Sequence, residues 1–468
     1  MTQSSPLDEA LVEGFRAQFG GEILTPADEG YDIHRKVWNA MIDKHPGLIA
    51  RCHGVADVIT AVQFARDHAL LVAVRGGGHN VAGNAVCDGG LVIDLSPMKG
   101  IRVDPAARTV RAQGGVTWGE FDRETQAFGL ATTGGLVSST GMAGFTLGGG
   151  IGWLTRKYGL ACDNLRSVDV VTAEGRFLTA SLSENADLFW GVRGGGGNFG
   201  IVTAFEFDLH PLSTVLGGWI LYPIEQAREI LRGLRTSLAT APDELTTVAR
   251  LFTVPVVEMV PPPLQNQQVI GIGVCHCGSR EEAEAVVHPL RSLGTVLADL
   301  IAPMPYRVLQ TMTDAINVPG LHHYWRSDYL RALDEQTIDT ILEQIAGKTS
   351  SLSAIDIHQM GGEASRISAE ATAFGHRDAP FLVNETATWT DPHEAAQHIA
   401  WARGLSAALQ PFSAGTYVNF LAHEGAEVTK AAYTPASYDR LVALKTKYDP
   451  TNLFRLNQNI TPKEKGGP

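Results

Sequence analysis

Three glycine clusters and a few isolated polar side chains are the parts of this sequence that could do chemistry. In Arg75-Gly76-Gly77-Gly78-His79-Asn80 a tight triple-glycine turn follows the apolar run Leu70 to Val74. Such a turn exposes successive backbone N–H groups that can hold a pyrophosphate. A second stretch, Gly134 to Gly152, sets hydroxyls beside its glycines and offers a longer cradle. Two such loops could clamp one extended dinucleotide. Gly195-x-Gly197-x-x-Gly200 matches the dinucleotide fingerprint literally, but that fingerprint needs a strand before it and a helix after it. Here a strand-like run, Ile201 to Phe207, follows, so a nicotinamide site is disfavoured. Glu385 stands within the apolar run Phe381 to Trp389, where a carboxylate is costly unless paired or raised in pKa. His322-His323 and Cys275-His276-Cys277 do not suggest metal, because adjacent ligands point opposite ways on a strand and no open-site spacing is present.

These loops must be carried by a sizeable scaffold. The chain has 468 residues, which at ~150 residues per domain allows two or three domains. Its 44% hydrophobic and 19% charged content is that of a folded protein and excludes collagen-like, solenoid or low-complexity chains. Of its 50 glycines, 27 lie between residues 71 and 200. A net charge of −13 opposes any broad hold on phosphate backbones, so nucleic acid is not an expected partner. There is no apolar run of membrane-spanning length and no leader pattern in MTQSSPLDEA, which points to a cytoplasmic protein with no membrane partner. Five cysteines without a C-x-x-C pair read as buried free thiols.

Periodicity predicts helices over 7–19, 55–69 and 117–128, and strands over 70–74, 91–95, 109–112, 168–172 and 201–207. After Pro211 the glycines thin. Strands are predicted over 216–222, 268–276, 353–359 and 381–389, and helices over 224–240, 281–293, 334–346 and 393–409. Pro261-Pro262-Pro263 marks a surface loop. A short strand at Tyr417–Leu421 and a helix at 435–447 close the chain. The class is α+β: a glycine-rich domain over 1–211, a sheet with helices stacked on it over 212–415, and a segment over 416–468.

Taken together, the motifs resemble a known family. Arg75-Gly-Gly-Gly-His79-Asn80, Ser139-Thr-Gly-x-Ala-Gly-x-Thr-Leu-Gly-Gly-Gly-x-Gly152, Arg156-Lys-Tyr-Gly-Leu-x-x-Asp163-Asn164, Asp187-Leu-Phe-Trp190 and Arg193-Gly-Gly-Gly-Gly-Asn-Phe-Gly200 look like those of berberine-bridge-enzyme-type FAD-linked oxidases. These oxidases belong to the vanillyl-alcohol-oxidase superfamily. Tyr417-x-Asn419 and Tyr448-Asp-Pro-x-Asn452-Leu-Phe-Arg455-x-Asn457-x-Asn459-Ile460 match the family's terminal motif. The resemblance implies a PCMH-type FAD-binding core at about 42–211, a substrate domain with an antiparallel sheet under helices, and a C-terminal segment returning to the FAD domain.

It also implies residue roles. His79 falls on the histidine that joins the 8α-methyl of FAD. The position of the second, cysteinyl link is Val137 here, so one covalent bond is expected, and Cys162 is structural. The family's cysteine-loop histidine is replaced by Phe145. FAD contacts are expected from Arg75, Gly76, Gly77, Gly78, His79, Asn80 and Gly83. The second cradle would add Val137, Ser139, Thr140, Gly141, Gly144, Phe145, Thr146, Gly149 and Gly152. Asn198, Gly200 and Val202 would approach the diphosphate or adenosine, and Asn457 and Asn459 the flavin.

For the catalytic base the resemblance offers Glu385 and Tyr417. Strand alternation sets Val383, Glu385, Ala387 and Trp389 on one face, which is expected to be the flavin side. Tyr324, Arg326, His358, Gln359, Trp389 and Asn419 would face substrate. The implied activity is oxidation of a hydroxyl- or amine-bearing small molecule by hydride transfer to flavin N5, with oxygen or another acceptor taking the electrons. A nicotinamide-dependent reductase and a non-catalytic flavin-binding protein stay open as alternatives.

Overall fold

The computed structural model describes residues 8–256 and 260–464. Leu7, the first apolar position of the predicted N-terminal helix, lies outside them, and the helix itself runs Glu9–Arg16. Two sheets build the glycine-rich half. In the first, Leu48–Arg51 and Val72–Arg75 flank Leu91–Asp94 in parallel, with the short strand Glu22–Leu24 antiparallel at the edge. Helix Val55–Asp67 makes the crossover, burying Val58, Ala61, Val62 and Ala65. In the second sheet Ile201–Asp208 lies between Thr109–Gln113 and Leu165–Val171, all antiparallel. Helix Ala186–Val192 precedes Gly195–Gly200 and a strand follows it, the reverse of a dinucleotide fingerprint.

The remainder is organised on one large antiparallel sheet. Along it run Thr214–Pro223, Gln268–His276, Leu245–Thr253, Ala354–Gln359, Phe381–Trp389 and His322–Leu330. Helices Ala227–Leu238, Glu335–Ala346 and Ala395–Leu409 cover one face with an aliphatic and aromatic layer. The opposite face turns towards the glycine-rich half. The strands Leu245–Thr253 and His322–Leu330 went unrecognised in the sequence. The second reads His-His-Tyr-Trp-Arg-Ser-Asp-Tyr-Leu and is enclosed on both faces, so it has no apolar alternation.

Two local expectations are corrected. Tyr417–Leu421 is not a strand: Val418–Phe420 forms a single 3-10 turn. The second glycine stretch is not loop throughout, since Met142–Leu147 forms a short helix that buries Met142, Ala143, Thr146 and Leu147. The C-terminal helix Pro435–Tyr448 packs Leu441, Leu444 and Tyr448 into the core of the glycine-rich half. Beneath it Lys445 is fully buried, donating to Asp449 and to the carbonyls of Asn198 and Phe454. Asn198 in turn donates to Gln458 O and accepts from Ile460 N–H.

Candidate active site

The two glycine loops meet main chain to main chain. A Cβ on Gly77 would overlap the backbone of Gly141, and one on Gly141 would overlap that of Gly77. This contact exists because both positions are glycine. It leaves Gly76 to Asn80, with Val137, Thr140, Gly141, Gly144 and Phe145, along one side of a cavity of about 710 Å³. His79 stands at its edge with Nε2 2.9 Å from Ser139 Oγ. Its ring stacks on Trp38 at 4.9 Å, and Trp38 stacks in turn on His323 at 3.8 Å. Trp38 is held by its indole N–H on Asn317 O and its backbone N–H on Gly78 O. Burial lowers the His79 pKa to about 4, so its imidazole is neutral at ordinary pH.

The other side of the cavity is the open face of the large sheet. Asn384, Thr386 and Thr388 project from one strand, His323 and Trp325 from its neighbour, and Asp356 and His358 from the next. His323 Nδ1 meets Thr388 Oγ1 at 3.1 Å. Arg250 Nη1 contacts both oxygens of Asp356, at 3.1 and 3.2 Å. Five buried polar atoms on this wall have no protein partner: Nε of Arg250, Nε2 of His323, Nε2 of His358, Nε1 of Trp325 and Oδ1 of Asn384. Buried polar groups are nearly always paired, so these five are the atoms a ligand would satisfy. Burial lowers the pKa of His358, and that of His323 to about 3.

The sheet face expected to hold the base lies away from this cavity. Val383, Glu385, Ala387 and Trp389 point beneath the helices, and Tyr324 and Arg326 share that side. Glu385 is fully buried there with neither oxygen hydrogen-bonded. Burial, then the adjacent Asp328, raise its pKa well above the usual carboxylate range. Tyr324 and Arg326 both bind Glu424, and Trp389 packs on His398. Gln359 also faces away and accepts from Thr247 N–H and its hydroxyl.

Tyr417 stands behind the cavity lining. The 3-10 turn directs it into the core of the glycine-rich half, while Asn419 and Phe420 reach the cavity. Its hydroxyl accepts from Gly150 N–H at 3.0 Å and Asn419 Nδ2 at 2.8 Å. Of the expected substrate residues, His358 and Asn419 line the cavity. Sequence reasoning missed Trp38, Arg250, His323, Trp325, Asp356 and Asn384. The alternation Asn384, Thr386, Thr388 was the available signal, since three polar side chains on one face of a buried strand need a polar space to face.

Several expected cofactor residues act from behind the cavity. The Arg75 guanidinium donates to the carbonyls of His34 and Lys36 rather than facing a phosphate. Gly83 packs on Ile42, Gly149 on Phe374, Gly152 on the Gly134 carbonyl and Gly200 on Val170. Val202 is core, and Asn198 is fully engaged with the C-terminal segment. Thr146, Asn457 and Asn459 each keep a buried side-chain oxygen without a partner. Among the described residues no His, Cys, Asp and Glu cluster has the arrangement of a metal site.

Comparison with known proteins agrees with this geometry. Residues 46–181 match the FAD binding domain family and residues 416–461 the family described as berberine and berberine like. The (R)-6-hydroxynicotine oxidase of Paenarthrobacter nicotinovorans is 34% identical, over 94% of this chain and 97% of its own. The chain is a berberine-bridge-type FAD-linked oxidoreductase. An FAD-linked oxidoreductase of Dictyostelium discoideum is 31% identical over 97% of both chains. The crystal structure of 6-hydroxy-D-nicotine oxidase from Arthrobacter nicotinovorans superposes with a TM-score of 0.85 at 32% identity, covering 95% of this chain and 98% of that one. A chitooligosaccharide oxidase shares the fold, with a TM-score of 0.86 at 23% identity over 97% of this chain and all of its own.

FAD fits what this oxidoreductase presents. The Gly77–Gly141 contact brings the two glycine loops together, main chain of Gly76, Gly77, Gly78 and Gly141 lines the cavity, and Thr146, Asn457 and Asn459 keep unsatisfied buried side-chain oxygens. No helix among the described residues is long and apolar enough to cross a membrane.

Proposed function

We propose that this oxidoreductase oxidises a hydroxyl- or amine-bearing small molecule, with FAD bound covalently through His79 and through no cysteine. The observation that carries this reading is that one cavity joins His79 and its glycine loops to a sheet wall bearing five unsatisfied polar atoms. FAD, when bound, supplies N5 as hydride acceptor and passes the electrons to oxygen or another acceptor.

The protein's part is to hold the substrate and take a proton. In the tautomer whose Nε2–H is donated to Ser139 Oγ, the His79 lone pair lies on Nδ1, where an attachment to FAD needs a nucleophile. Val137 has no sulfur to offer a second link. On the facing wall, neutral His358 accepts the substrate O–H or N–H proton at its unpartnered Nε2, and Asn384 Oδ1 fixes the group that loses it. Tyr417 positions Gly150 and Asn419 and does not itself meet substrate. The relative named for 6-hydroxynicotine supports an amine or aryl substrate. Five free, buried cysteines suit a reducing compartment such as the cytoplasm.

Acid precipitation tests the link: the yellow colour should stay with denatured wild-type protein and be lost from His79→Ala. Colour that washes off the wild type removes the covalent assignment. Anaerobic bleaching of the flavin by a panel of small alcohols and amines tests the activity, and a panel without effect counts against it.

A further inference from the structure

Two side chains touch the His79 imidazole, and both lead to the same short segment of the sheet half. Ser139 Oγ meets Nε2 at 2.9 Å and Trp38 stacks on the ring. Among the described residues no other hydrogen bond or ring contact reaches it. The residue before Ser139 is fastened from the other half of the molecule: Asp314 accepts Ser138 N–H at 2.9 Å and the Ser138 hydroxyl at 2.6 Å, and the Thr313 hydroxyl donates to Leu136 O. Trp38 is fastened by the same segment, since its indole N–H donates to Asn317 O at 2.8 Å. Its ring also stacks on His323, a few residues further along the chain.

Residues 313–317 belong to the connection between the strands Ala302–Pro305 and His322–Leu330 of the large sheet. The segment is tied to itself: Asp314–Ile316 is a 3-10 turn, and Asn317 Nδ2 donates to Thr313 O at 2.8 Å. Thr313, Ala315, Ile316 and Asn317 also line the cavity. The second glycine loop has main-chain anchors within its own half, Gly119 N–H on Ser138 O and Trp118 N–H on Thr140 O. These set the path of the loop. They leave the Ser138 N–H and hydroxyl to Asp314, and the Trp38 indole N–H to Asn317.

Resting on the attachment through His79 proposed above, we infer that residues 313–317 form a strap that holds the imidazole in the orientation attachment needs, Asp314 acting through Ser139 and Asn317 through Trp38. All four are positioning residues. Joining Nδ1 to the 8α carbon forms one C–N bond and breaks one methyl C–H bond and the Nε2–H bond. Two protons and two electrons leave, and oxygen takes them up as hydrogen peroxide. Nε2 is a donor towards Ser139 before the bond forms and an acceptor after it. A hydroxyl serves both states because it accepts and donates, and Ser139 Oγ has no other hydrogen-bond partner among the described residues.

Full-length protein prepared without flavin and then mixed with FAD in air gives two readouts. Quenching of FAD fluorescence reports binding, and flavin retained by acid-precipitated protein reports attachment. Asp314→Ala and Ser139→Ala should bind FAD within about threefold of wild type yet attach it roughly tenfold to a hundredfold more slowly, the cost of a misplaced reacting group. Ser139→Thr keeps the hydroxyl and should attach at close to the wild-type rate. Trp38→Phe keeps a ring without the N–H and should fall between. Attachment at the wild-type rate in both alanine variants overturns the inference and leaves the His79 link standing. A parallel loss of binding and attachment overturns it as well, because a segment that only stabilises the fold acts on both. Wild-type protein that binds FAD and retains none on precipitation removes the link itself, and the role of the strap with it.

Discussion

Arg377 grips Asp163 through two parallel hydrogen bonds, Nη1 to Oδ2 at 3.0 Å and Nη2 to Oδ1 at 2.6 Å, with 2% and 3% of the side chains exposed. Asp163 also accepts Leu160 N–H, while Ala161 and Cys162 donate to the carbonyls of Gly150 and Gly149. The pair therefore fixes the end of the second glycine loop. Removing one partner strands a buried charge, so Arg377→Met or Asp163→Asn should lose about 3–5 kcal/mol of stability. Urea denaturation measures this, and a loss below ~1 kcal/mol would show that the pair is dispensable.

Glu385→Gln should leave the anaerobic bleaching rate within about twofold of wild type, because Glu385 lies on the helix side of the sheet and cannot reach substrate. Its stability effect should depend on pH. A carboxyl raised in the folded state contributes stability that is full below the unfolded pKa and is lost as pH rises through the folded value. Glu385 and Asp328 titrate as a pair, so denaturation curves should show the variant gaining on wild type as the solution becomes alkaline. A parallel response of the two proteins would count against a buried, protonated Glu385.

His358→Gln should slow bleaching by about 10²–10⁴-fold, the usual contribution of a positioned base. Burial lowers its pKa, an effect that the nearby Asp356 partly offsets. The base is then active above that lowered value, and the acid limb of kcat/KM should fall below the ordinary histidine range near 6.5. In the variant that limb should vanish. A limb that survives the substitution assigns the proton elsewhere.

Gly273→Ala should raise KM with little change in kcat. The added methyl would press on Trp219 and Trp153, which line the cavity on strands removed from His358. Steady-state kinetics with any turned-over substrate would check it, and a fall in kcat alone would contradict a binding role for this part of the cavity wall.

The backbone framework was legible because glycine, charge and apolar period report on it locally. Val55–Asp67, Ala354–Gln359 and Phe381–Trp389 all emerge close to their predicted bounds. Which face of a strand meets the ligand was not legible. Every residue of Phe381–Trp389 is buried, one side under helices and the other against a cavity, so alternation separates two sets without saying which set is which. Glu385 drew attention as a misplaced carboxylate, while its neighbours Asn384 and Thr386 passed as ordinary strand residues. The direction of Tyr417 was not legible for a different reason. A single 3-10 turn rotates successive side chains by about a third of a circle, and no period reveals so short an element. His322–Leu330 was hidden because its polar residues are satisfied by Asn39, Thr388, Ser406 and Glu424, far away in sequence.

The fastening of Asn198 to Gln458 and Ile460, with Lys445 beneath it, bears on the order of biogenesis. The half that receives FAD borrows part of its own wall from residues synthesised hundreds of positions later. Residues 1–211 alone carry the glycine loops but not the helix Pro435–Tyr448, whose Leu441 and Leu444 pack on Gly195 and Gly191. The wall to which Asn198 belongs is accordingly complete only once residues 445–460 have folded onto it.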